Sequence, residues 1–184
     1  MIILPPTSLI SSSNHWLSQS ELNRLPVNAS TKRALQFRGL LTAAIAEISG
    51  NKCRLDALDC SPTADDDGSG LLRRDVVIRA DQDVCVVAST LMPDNVVCAN
   101  PWLGSLGTRP LGETLQQRTN AYRGPFEFLF IDSECSLGGN FPSNQPTWAR
   151  RYPFLLGEGA LTVMEIFSPE FLDKLGAVVD SLHL

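Results

Sequence analysis

Only two histidines, His15 and His183, occur in this chain of 184 residues, and both stand near an end. The five cysteines, Cys53, Cys60, Cys85, Cys98 and Cys135, are scattered, and no two have CxxC spacing. A histidine-ligated metal, a paired-cysteine zinc site and a histidine-dependent nucleophile therefore have almost no material. An odd number of dispersed cysteines reads as reduced, buried thiols rather than a disulfide frame. The run DDDGSG, Asp65 to Gly70, has the start of a calcium loop, but the twelfth position holds Val76 where a glutamate is required. It reads as a polar turn feeding a strand. Polar chemistry is left to arginine, carboxylates and backbone amides.

Three stretches could carry it. In LLRRDVVIR, Arg73 and Arg74 are adjacent in a β-rich run, so one must point inward. An inward arginine is costly unless it meets an anion, either a carboxylate of the protein itself or a ligand. In ALTVMEIFSP, Glu165 sits among Met164, Ile166 and Phe167. It is an edge-strand charge facing water, the partner of Arg74, or a polar handle in an apolar pocket. The third stretch, WLGSLGTRPLGETL from Trp102 to Leu115, is too apolar for a solvated loop and too broken by glycine for a strand. Such a turn can aim unpaired backbone N–H groups at an anion.

The elements that must position these residues are legible as patterns. Residues 1–20 read as an irregular Ser/Pro-rich arm. A helix is expected to begin near Asn28, Ser30 and Thr31, all capping types, and to run through LLTAAIAEIS to Gly50. KCRLDALDC alternates, with Cys53, Leu55 and Ala57 on one side, as a half-buried strand does. LLRRDVVIRA and VCVVASTLMP flank DQD as a hairpin. LGETLQQ fits a short helix, PFEFLFID a strand, and SECSLGGNFPSNQPTWA a loop. Two more strands join through Gly157-Glu158-Gly159, and a last helix starts with Ser168 as N-cap and Pro169 as its first residue. Strands in short-linked neighbouring pairs predict an α+β domain, a largely antiparallel sheet with helices on one face. One domain, 1–184, suits the length.

Composition narrows the classes. The chain is 43% hydrophobic and 19% charged, enough for a core, and carries a net charge of −5 with a pI near 5.0. That disfavours a general nucleic-acid or anionic-membrane surface. No apolar run approaches the ~20 residues of a membrane span. MIILPPTSLI lacks a basic start and breaks at Pro5-Pro6, so a signal peptide is not expected and a cytoplasmic protein is. Neither GxGxxG nor GxxxxGK[ST] occurs, which disfavours a doubly wound nucleotide fold.

Taken in order, Arg74-Asp75-Val76, Thr90-Leu91-Met92-Pro93, the turn from Leu106 to Gly112, and Glu165-Ile166-Phe167 resemble the chorismate lyase (chorismate pyruvate-lyase) family. The similarity spans roughly residues 26–170 and is nearer to the divergent cyanobacterial and plastid branch than to the proteobacterial one. The resemblance implies an antiparallel sheet of about six strands, flanking helices and an enclosed ligand cavity. It implies conversion of chorismate to 4-hydroxybenzoate and pyruvate, without metal or organic cofactor, for a quinone (plastoquinone) head group, by a cytoplasmic monomer. Carried over residue by residue, Arg74 holds a ligand carboxylate, Leu111 offers its backbone N–H, and Glu165 is the pocket glutamate. Ser30 takes the position of a family methionine, and Ala88 that of a flap glycine. The same fold resembles the effector-binding domains of some bacterial transcription regulators, so the alternative is a non-catalytic sensor of aromatic acids. The N-terminal segment is too short and insufficiently basic for a DNA reader.

Overall fold

The computed structural model describes residues 15–65, 67–118, 120–132, 145–157 and 159–182. Cys135, Glu158, His183 and most of the expected Gly/Ser/Pro/Asn loop lie outside these residues. Seven strands form one sheet: β1 (Cys53–Ala64), β2 (Gly70–Ala80), β3 (Asp83–Pro93), β4 (Tyr122–Arg123), β5 (Glu127–Ile131), β6 (Thr147–Leu156) and β7 (Gly159–Phe167). Their order is β1-β2-β3-β7-β6-β4, with β5 also on β6, and every pairing is antiparallel. The helices are α1 (Gln19–Arg24), α2 (Ala29–Gln36), α3 (Leu41–Ser49), α4 (Asp94–Ala99), α5 (Leu111–Arg118) and α6 (Pro169–Val178).

The strand alternation sorts the sheet into two faces. On β2, Leu72, Val76 and Ile78 pack with Leu22, Leu35, Ile45, Leu115 and Leu175 of the helices. Leu71 joins a second cluster on the other face with Leu91, Ala149, Met164, Ile166 and Trp16. The helices thus cover one face, as the paired-strand pattern predicts. β2 and β3 meet through Asp81–Gln82, the expected hairpin, with Asp81 at φ 56°, a conformation that Asp tolerates better than most residues. β1 runs on beyond the expected strand to Ala64, its register shifts between Ala57 and Asp59, and Ala57 is exposed.

Two helical features differ from the sequence pattern. Gln19 and Ser20 belong to α1, whose capping box joins Ser18 and Glu21, rather than to an irregular arm. The single helix expected from Asn28 to Gly50 is two, α2 and α3, parted at Phe37–Leu40. Phe37 leaves the helical conformation at ψ 123°, and its carbonyl, with that of Leu35, accepts from the buried Arg150 side chain at 2.7 and 3.0 Å. Those bonds replace the intrahelical ones lost at the break. The last helix starts as expected: Ser168 Oγ accepts from the Phe171 amide at 3.2 Å, and Phe171, Leu172 and Leu175 are buried.

Candidate functional site

On the helix-covered face, the sheet register lays out a floor of inward side chains. Arg74 pairs with Thr90, Thr90 with Val163, and Val163 with Tyr152. One step along the strands, Val76 pairs with Ala88, Ala88 with Glu165, and Glu165 with Arg150. Over this floor lie the first residues of α3 (Leu41, Thr42) and of α5 (Leu111, Gly112), with Arg123 and Phe154 at the side. The empty space over this floor is about 560 Å³ when the part open to solvent is included, and about 70 Å³ of it is free for water-sized groups.

Arg74 is 3% exposed, and one terminal nitrogen donates to the carbonyls of Gly107 and Arg109 at 2.9 and 3.0 Å. It enters no ion pair among the described residues. Burial holds its pKa below the usual arginine value, an effect that nearby Cys60 opposes, yet an arginine stays charged. Its neighbour Arg73 faces the opposite side of the sheet and bonds Asp75 at 2.8 Å, where Ser89 also donates to that carboxylate. One arginine inward and one outward follows from the alternation. The outward one, though, is tied to an aspartate that is fully buried rather than solvated.

The glycine-rich turn is explained by its contacts. Gly107 adopts φ 54°, the left-handed region that glycine enters without cost. Its carbonyl, with that of Arg109, turns to Arg74, and Pro110 then leads directly into α5. Proline offers no side-chain oxygen to cap the helix, and the Leu111 and Gly112 amides in the first turn have no intrahelical acceptor. Both residues line the cavity. A side chain at Gly112 would meet Leu40 Cδ2 at 2.9 Å, so glycine lets the starts of α3 and α5 close on each other. Thr42 and Glu113 bond across the same gap at 3.3 Å.

Glu165 is the only carboxylate on the described lining, and both its oxygens are engaged. Arg150 Nε donates to Oε2 at 2.6 Å and the Tyr152 hydroxyl donates to Oε1 at 2.9 Å. Its partner is therefore Arg150, not Arg74. Burial, reinforced by the Glu165 charge, pushes the Tyr152 phenol far above its ordinary pKa, which keeps it a donor. Arg150 is fully buried, 4.5 Å from the Phe126 ring centroid and 5.2 Å from that of Phe167, cation–π contacts that help a desolvated guanidinium.

The structure thus brings Arg74, Ala88, Leu111 and Glu165 to one cavity and leaves Ser30 out of it. Ser30, on α2, packs against Gly176 of α6, where even a Cβ would collide with the Ser30 hydroxyl and carbonyl. Sequence reasoning missed Arg150, Tyr152 and Arg123. Arg150 carried a signal: it and Arg151 are adjacent in an apolar strand, the argument already applied to Arg73 and Arg74. A larger cleft beside the β2–β3 hairpin, lined by Ile48, Arg79, Cys85 and Lys174 among others, has its arginine paired with Asp56. Among the described residues no group of three or more His, Cys, Asp or Glu side chains could hold a metal ion. No described helix is long and apolar enough to cross a membrane.

Several curated relatives carry one name. A "Probable chorismate pyruvate-lyase" of Cupriavidus metallidurans is 31% identical over 168 residues, 82% of this chain and 77% of that protein. One of the same name from Ralstonia nicotianae is 35% identical over 108 residues, 53% of this chain and 55% of its own length. In that pairing the chain spans just over half of its relative. Among solved structures, PhnF from Mycobacterium smegmatis superposes with a TM-score of 0.54 at 14% identity, over 72% of this chain and 64% of that one. Its effector domain alone gives 0.51 at 15%, over 72% and 90%. These two show a shared fold. The chorismate pyruvate-lyase Rv2949c-like family model matches residues 29–175, and the chain belongs to that family.

Proposed function

We propose that the protein converts chorismate to 4-hydroxybenzoate and pyruvate, with the cavity over Arg74 and Glu165 as its active site. The observation that carries this reading is Arg74, a buried cation with no carboxylate partner among the described residues. A buried unpaired charge is costly unless a ligand anion meets it. In this reading Arg74 and the Leu111 amide hold the ring carboxylate by charge-assisted bonds. Ala88 and Thr90 form the floor, Glu165 hydrogen-bonds the 4-hydroxyl, and the cavity closes around the ligand. No metal or organic cofactor takes part.

Positioning suffices for the chemistry. In chorismate the C4 hydrogen and the C3 ether oxygen share a face of the ring. Through a six-centre arrangement the C4–H bond breaks, hydrogen passes to the enolpyruvyl CH₂, and the C3–O bond cleaves. The ether oxygen becomes the carbonyl of pyruvate and the ring aromatises. Holding the enolpyruvyl group over the ring in that pose is the enzyme's main task. Glu165 already accepts two hydrogen bonds, which supports a role in holding the hydroxyl rather than in removing a proton. The product would serve as a quinone head group, made by a cytoplasmic monomer.

Likeness to an effector domain favours one rival, a sensor that binds an aromatic acid without turnover. Incubation of the purified protein with chorismate separates the two. The lyase forms 4-hydroxybenzoate and pyruvate one to one. Saturable binding of 4-hydroxybenzoate with no pyruvate formed would leave the sensor reading standing.

A further inference from the structure

Among the described residues, two arginines, not one, line the cavity without a carboxylate partner. The second is Arg123 of β4, half-buried, its guanidinium 5.1 Å from the Tyr152 ring centroid and 5.2 Å from that of Phe154. Neither Arg74 nor Arg123 enters an ion pair among the described residues, whereas Glu165 is matched by Arg150. With Glu165 and Arg150 cancelling, Arg74 and Arg123 leave two uncompensated positive charges on the cavity. This is in a protein whose net charge is −5. One ligand carboxylate answers only one of them.

The two arginines enter from opposite sides. β2 and β4 are four strand spacings apart in the sheet order, about 19 Å between strand axes, and only long side chains can serve one ligand from both. They are also held alike. Arg74 grips the carbonyls of Gly107 and Arg109 just before α5. Arg123 Nη1 grips those of Arg38 and Gly39 just before α3, at 2.5 and 3.4 Å. Each guanidinium has five N–H donors, so fixing a loop leaves others for a ligand.

We infer that Arg123 is a specificity residue for a second carboxylate. The cavity takes a dicarboxylate, with Arg74 and the start of α5 on one carboxylate and Arg123 on the other. This rests on the proposed function and adds to it the group that tells the dianionic substrate from its monoanionic aromatic product. On cleavage the second carboxylate departs with pyruvate, and the aromatic acid keeps only the Arg74 end.

Two inert probes test this by calorimetry. One is 3-(1-carboxyvinyloxy)benzoate, which carries both carboxylates on an aromatic ring that cannot eliminate. The other is 3-(isopropenyloxy)benzoate, with methyl in place of the second carboxylate. The wild-type protein binds the dicarboxylate at least about tenfold more tightly, roughly 1.4 kcal/mol. Arg123→Gln removes that preference and leaves the monocarboxylate within about threefold. Arg123→Lys, which keeps the charge, retains part of it. Equal wild-type affinity for the two probes, or Arg123→Gln weakening both alike, would overturn the inference and leave Arg123 as a loop fastener. A wild-type protein that shows the Arg123-dependent preference but releases no pyruvate from chorismate would sink the lyase reading alone. Pyruvate release without the preference would sink this inference alone.

Discussion

Arg150 and Glu165 stand opposite each other on β6 and β7 and share a 2.6 Å hydrogen bond in a region where Arg150 has no solvent exposure. Glu165 is at once the carboxylate of the cavity and the ion-pair partner of the buried Arg150. Site and fold are therefore coupled at this pair, and a change at Glu165 is read on both.

Glu165→Gln should accordingly cost stability as well as activity. It strands the Arg150 charge, and breaking a buried pair typically costs about 3–5 kcal/mol. Replacing both groups, Arg150→Met with Glu165→Leu, should recover more than half of that loss in denaturant unfolding. Additive destabilisation by the two changes would show that the pair is not coupled in the way described.

The fate of the C4 hydrogen separates positioning from base catalysis without touching Glu165. With C4-deuterated chorismate, the six-centre route delivers deuterium to the methyl group of pyruvate. Mass spectrometry of pyruvate formed in ordinary water is the check. Pyruvate free of deuterium would assign Glu165 the role of base.

Arg73 gives a contrast on the other face of the sheet. Arg73→Ala leaves the fully buried Asp75 without its 2.8 Å partner. The expected result is a loss of about 3 kcal/mol in unfolding free energy, with affinity for 4-hydroxybenzoate unchanged in the folded protein. A weakened affinity at full saturation of folding would place Arg73 in the site after all.

Cys85 makes part of the alkaline limit of stability. Burial pushes its thiol up to about 11, from an unfolded value near 9.0. A group whose pKa is raised on folding stabilises fully below the unfolded value, and the contribution is lost as pH rises through the folded one. Stability should fall between about pH 9 and pH 11, and less steeply in Cys85→Ala than in the wild type. Parallel Tm profiles over that window would remove Cys85 from the account.

Much of this arrangement is written in local pattern. Period-two alternation places Arg74 inward and Arg73 outward, because neighbours in a strand must point to opposite faces. The turn chemistry of Gly107 and Pro110 marks a loop leading to a helix start. What alternation does not reveal is partnership. Arg74 and Glu165 look like a pair in the sequence, but Glu165 lies across from Arg150 and meets it first. The break at Phe37–Leu40 was equally hidden. It depends on Arg150, more than 110 positions away in sequence, accepting the role of capping Leu35 and Phe37. Ser30 was placed by alignment to a motif, and its position on a crossing of α2 and α6 is a matter of helix packing that no motif encodes.

The most direct measurement is pyruvate release from chorismate by the wild-type protein and by Arg74→Ala, compared as kcat/KM with unfolding followed in parallel. The expected result is wild-type turnover and a loss of at least about 30-fold in the variant, near 2 kcal/mol, in a protein that remains folded although its Gly107–Arg109 turn has lost a fastening. Turnover by folded Arg74→Ala at the wild-type rate, or none by the wild type, would contradict the claim that this buried cation makes the cavity a chorismate site.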